Sequence, residues 1–98
     1  MWRQGDVFIS AVAAIPQDAI KRRDCVLAEG ELTGHSHRID QQDAAELFEH
    51  RGMLYLRVLA SEAKVVHQEH GPITLRQGLY AVWQQREYSP EAARKVMD

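Results

Sequence analysis

The sequence predicts a small, mainly β, single-domain protein, a barrel or sandwich with a short internal helix and a C-terminal helix. Three observations carry this. Short runs rich in β-branched and aromatic residues recur along the whole chain, as strands require. Turn signals such as Gly5-Asp6, Arg51-Gly52 and Gly71-Pro72 separate them at regular intervals. The 98 residues, 45% of them hydrophobic, suffice for one modest core and leave no room for a second domain, so residues 1–98 are read as one unit.

The elements follow in order. Val7-Phe8-Ile9-Ser10-Ala11-Val12 reads as a strand after the Gly5-Asp6 turn, closed by Ile15-Pro16. Residues 17–24 are polar and read as a loop or a single helical turn. Cys25 to Glu29 forms a second short strand. Gly30 and Gly34 then bracket a bend or bulge. His35 to Ile39 continues as a strand. In an extended segment residues i and i+2 share a face, so His35 and His37 point the same way.

Asp40 to His50 is the candidate internal helix, with Ala44-Ala45-Glu46-Leu47 favouring helix and Asp40 or Asp43 available as a cap. His50 then reads as a dipole partner at its C-terminus. Met53 to Leu59 is a strong strand. Ala60-Ser61-Glu62-Ala63 reads as a pause before another strand, Lys64 to His67. Ile73-Thr74-Leu75 and Leu79 to Gln85 flank Arg76-Gln77-Gly78, which reads as a hairpin turn. Ser89-Pro90 supplies an N-cap and a first-turn proline for a terminal helix through Val96.

Composition excludes several functions. With 12 Lys and Arg against 14 Asp and Glu, the net charge is −2, which carries no footprint for nucleic acid. The basic cluster Lys21-Arg22-Arg23 reads as a solvated loop. Cys25 is the only cysteine, so neither an intrachain disulfide nor a thiolate zinc knuckle can form, and it reads as a small buried hydrophobe. No stretch reads as a signal peptide or a membrane span. The expectation is a cytoplasmic protein acting on a small molecule, without nucleic-acid or membrane partners, and with self-association open. Phosphate loops, a Ser-His-Asp signature and a nucleophile elbow are absent. Trp2 and Trp83 read as core or interface anchors, and the hydroxyls of Tyr80 and Tyr88 as satisfied polar tips. Gln84 to Tyr88 reads as an exposed edge whose charges oppose aggregation.

The chemistry concentrates in histidine. Four of the five histidines fall into two clusters, Gly34-His35-Ser36-His37 and His67-Gln68-Glu69-His70. Imidazole is the commonest transition-metal ligand, and an ion needs ligands converging from separate segments. A His-x-His strand and a His-x-x-His turn therefore predict one shared site of His35, His37, His67 and His70. Glu69 is the candidate acid–base or outer-sphere group. Zinc suits such a set best, with iron, manganese, nickel or copper as alternatives. Three imidazoles on zinc leave a position for a water acidified towards a pKa of about 7, which serves hydrolysis or hydration. The expectation is thus a metalloenzyme of hydrolase or hydratase-type lyase chemistry. The alternatives are a non-catalytic module stabilised by a metal and a small-ligand-binding barrel.

Gly30 to His37 resembles part of the first cupin motif, and Ile73 to Gly78 resembles the cupin glycine hairpin. That resemblance implies a small double-sheet barrel with a His-ligated metal inside. It covers about a third of the chain and departs from the pattern twice. The first carboxylates after His37 are Asp40 and Asp43, not a glutamate at the expected gap. His67 and His70 precede the glycine segment instead of following it. The chain also resembles a family of small uncharacterised bacterial proteins. The carriers are Arg3-Gln4-Gly5-Asp6-Val7, Gly34-His35-Ser36-His37, His67-Gln68-Glu69-His70-Gly71-Pro72-Ile73 and Gln85-Arg86-Glu87-Tyr88-Ser89-Pro90. That likeness implies a free-standing protein and brings no activity with it.

Overall fold

The computed structural model describes residues 1–30 and 34–85. Eight strands follow in chain order: β1 (Trp2–Gln4), β2 (Val7–Ala11), β3 (Ile20–Lys21), β4 (Val26–Glu29), β5 (Ser36–Ile39), β6 (Ala45–His50), β7 (Met53–Val66) and β8 (Ile73–Gln84). All pairings are antiparallel. The sheet runs β1-β2-β8-β7-β5-β4, with β6 also on β7 and β3 on β6. The path has two ends, so the sheet is not closed into the expected barrel. None of the described helices is long and apolar enough to cross a membrane.

The long β7–β8 ribbon organises the rest. On one edge β7 pairs first with β6 and, at its far end, with β5. The ribbon is bulged in the middle: Val58 opposes Gly78 and Glu62 opposes Arg76, so residues 59–61 face Gln77 alone. The excess residues bend the ribbon. Gln77 Nε2 donates to Leu59 O at 2.9 Å, and Tyr80 OH donates to Arg76 O at 2.6 Å, both across the irregularity. The bulge also changes parity. Leu56 and Val58 point inward before it, Ala63 and Val65 after it. Both halves therefore feed one core, joined by Val7, Ile9, Leu27, Ile39, Leu47, Leu75 and Val82.

Two sequence expectations are corrected by this bend. Arg76-Gln77-Gly78 is not a hairpin turn, because β8 is continuous from Ile73 to Gln84. The pause at residues 60–63 is the bulge within β7. The turn predicted at Arg51-Gly52 is present, and joins two strands as a hairpin, with His50 opposite Met53 and both turn residues at positive φ.

The internal helix is also corrected. Only Gln42–Ala44 makes a 3-10 turn, and Ala45–His50 is strand β6. Ala45 and Leu47 are buried opposite Val58 and Leu56. Fully burying a leucine is worth about 1.5–3 kcal/mol, more than the helix preference of so short a segment. The terminal helix through Val96 lies outside the described residues, as do Arg86 to Pro90.

Candidate metal centre

Strand register builds the site. β5 pairs with β7 through Arg38 opposite Val66, which sets His37 beside His67 where the strands run on. Ser36 N donates to Gln68 Oε1 at 3.0 Å, extending the pairing one step further. The chain then turns through residues 67–72 into β8, carrying His70 back over the same spot. The four predicted histidines come together there. Ring centroids are 4.2 Å apart for His37 and His67, 4.7 Å for His67 and His70, and 5.6 Å for His35 and His67. His67 sits at the middle of the group.

The group lines a pocket of about 220 Å³ whose wall also holds Asp6, Glu29, Glu69 and Gln84. Among the described residues no lysine or arginine is in that wall. Carboxylates and imidazoles so placed favour a bound cation.

His37 is the deepest member, about 6% exposed. Its Nδ1 lies 2.8 Å from Gln4 Oε1. Gln4 Nε2 gives its hydrogens to Val65 O at 3.0 Å and Gly71 O at 2.9 Å. Only Oε1 is then left for His37, so Nδ1 is the proton-bearing nitrogen. Nε2 carries the lone pair of the neutral ring and faces the pocket, the tautomer of a ligand held by an outer hydrogen bond. Burial, followed by the neighbouring His67, pushes the His37 pKa below its ordinary value, against the pull of Asp6.

His35 and Glu69 form a second such arrangement, with His35 Nδ1 3.2 Å from Glu69 Oε1. The side chain of Glu69 is 65% exposed. That geometry orients His35.

His67 differs. Its Nδ1 accepts the Glu69 backbone N–H at 3.0 Å, so the proton of the neutral ring resides on Nε2. Desolvation, then the charges of His70 and His35, lower its pKa. Among the described residues no three His, Cys, Asp or Glu side chains are arranged to hold an ion as they stand. The His67–Glu69 bond supplies a physical reason, since it occupies one lone pair at the centre of the cluster. Releasing that one amide would free the ring to turn.

Sequence reasoning missed Gln4 and Asp6. Asp6 Oδ1 is 3.5 Å from His37 Nε2, and Gln84 Nε2 donates to Asp6 Oδ2 at 2.5 Å. The available signal is Arg3-Gln4-Gly5-Asp6-Val7, which in sequence reads as a turn and as part of a family likeness. His50 lies apart from the cluster. It ends a strand, not a helix, and its Nε2 pairs with Asp18 Oδ1 at 2.9 Å. Cys25 is buried as expected, with Sγ donating to Ala45 O at 3.4 Å.

A family model described as a domain of unknown function (DUF8820) matches residues 3–85, and the chain belongs to that family. No curated protein and no solved structure matches it.

Proposed function

We propose that this DUF8820 domain is a small metal-binding protein that draws the ligands of one divalent transition ion from His35, His37, His67 and His70, zinc before iron, manganese or nickel. The observation that carries the reading is the gathering of four imidazoles from two segments around one cation-favouring pocket. The donor set fits such an ion: imidazoles with nearby carboxylates suit zinc and its neighbours. The hydrogen-bond partners fit as well, because Gln4 and Glu69 engage Nδ1 of His37 and of His35.

An open pocket favours catalysis over a purely structural ion. Structural zinc sites are closed by four protein ligands, whereas His70 and Glu69 here lie at the solvent boundary. Zinc held there by three protein ligands would keep a position for an acidified water, which would supply the chemistry of hydrolysis or of a hydratase-type lyase. The pocket volume suits a substrate smaller than a drug-sized ligand. Glu69 orients His35 and stands at the rim, where it can exchange a proton with solvent. A cytoplasmic setting belongs to the same reading, consistent with a single unpaired thiol.

Zinc titration calorimetry on the intact chain tests this. One ion per chain is expected, with affinity lowered at least about 100-fold in His37→Ala and in His67→Ala. An unaltered chain that takes up no zinc, or variants that bind it as well as the parent, would overturn the reading.

A further inference from the structure

The turn between β1 and β2 is not absorbed by a site made of histidines alone, although it enters the same pocket. Gln4 there fixes His37 with Nε2 turned inward. Asp6 faces that nitrogen from 3.5 Å. A lone pair and a carboxylate oxygen at that separation are reconciled by a positive centre held between them. The carboxylate is also well anchored. Its Oδ2 accepts from Gln84 Nε2, and its backbone carbonyl accepts from Gln85 N at 2.8 Å. Oδ1 is the oxygen that faces His37 Nε2. Gly5, just before it, has φ +60° and allows the His70 imidazole to lie against the turn. One three-residue stretch thus orients one imidazole, accommodates a second and presents a carboxylate beside the first.

We propose that Asp6 is a direct oxygen ligand of the ion held by the histidine cluster, so that the site is a mixed imidazole–carboxylate set whose acid comes from the N-terminal turn. This rests on the metal-binding reading above and adds to it a named ligand. A carboxylate oxygen with imidazoles matches zinc, iron(II) and manganese(II), and argues against copper(I), which prefers soft sulfur donors.

The test is a Co²⁺ titration of the full chain followed by visible absorption, with Asp6→Asn, Asp6→Ser and His37→Ala beside the parent. Cobalt alone is the probe, and its d–d bands report the ligand set directly. Both Asp6 variants are expected to bind Co²⁺ at least about 100-fold more weakly, and any complex formed at high Co²⁺ to show shifted bands. Loss of a distant negative charge would weaken binding without moving the bands. Thermal melting without cobalt establishes that each variant is folded, and Asp6→Ser decides the matter if Asp6→Asn is not. Parent-like affinity and bands in a folded Asp6 variant, with binding lost in His37→Ala, would overturn the Asp6 assignment and leave the histidine site standing. Weaker binding with unmoved bands would overturn it too, making Asp6 a field effect only. A parent chain that binds no Co²⁺ would overturn the histidine site and this ligand together.

Discussion

Gly5 and the His70 imidazole are packed so closely that a Cβ on Gly5 would lie 2.8 Å from His70 Nε2. Real side chains do not tolerate that approach, and φ at Gly5 is +60°, where a Cβ costs about 1–2 kcal/mol. His70 is exposed and can swing away. Gly5→Ala should therefore lose about that much stability and also displace His70, a proposed ligand. Zinc affinity is expected to fall at least about tenfold. Gly52→Ala is the matching control, since Gly52 has φ +79° and nothing within 4 Å of its Cβ position. It should lose stability in urea melts without losing zinc. Equal zinc affinity in the two variants would contradict the packing of His70 on the turn.

Acid should destabilise the metal-free fold through the same histidines. The pKa values of folded His37 and His67 lie below 6.5, the unfolded value. The unfolded chain then takes up protons first as pH falls. Their contribution is complete above 6.5 and is lost as pH falls from there through the folded values. Glu46, whose pKa is lowered chiefly by its hydrogen bond to Lys21, contributes a loss only below 4.5. Urea midpoints of metal-free protein should decline between about pH 7 and pH 5, and less steeply in His37→Gln. A flat profile across that interval would contradict the neutral state of the cluster.

His50 is the histidine outside the site. Its pairing with Asp18 is at the surface and worth no more than about 1 kcal/mol. His50→Ala should leave zinc affinity within about twofold of the parent, as expected for independent sites. A large loss of zinc measured by calorimetry would mean that the ion sits elsewhere.

Cys25 should be chemically quiet. Burial, followed by the charge of Asp24, raises its thiol pKa above 9.0. Only the thiolate reacts, so native protein at neutral pH should label with a maleimide about 100-fold more slowly than urea-unfolded protein. Equal rates would show that the strand packing over Cys25 opens readily.

Much of this was legible in the sequence because period-two patterns and turn residues are local signals. The His-x-His strand, the Arg51-Gly52 turn and the buried Cys25 all depend on neighbours a few positions away. The β7–β8 bulge was not legible as such. Residues 59–61 opposite Gln77 shift the inward parity of both strands, and a parity shift read along one strand looks like a break. Ala45–His50 favours helix by its local residues, whereas pairing with Met53–Val58 makes it a strand. Likewise, Gln4 and Asp6 meet His37 across more than thirty residues of chain. Only sheet pairing brings them together, so spacing could point to the ligands but not to what orients them.

The most direct test of the metal centre is elemental mass spectrometry of untagged protein purified without chelators, beside a His35→Ala/His37→Ala double variant. About one transition ion per chain in the parent, lost in the double variant, is the predicted result. A parent chain that carries no metal, and takes none up on titration, would contradict it. The four imidazoles would then be a polar network over the pocket, and Gln4 would hold His37 for the fold alone.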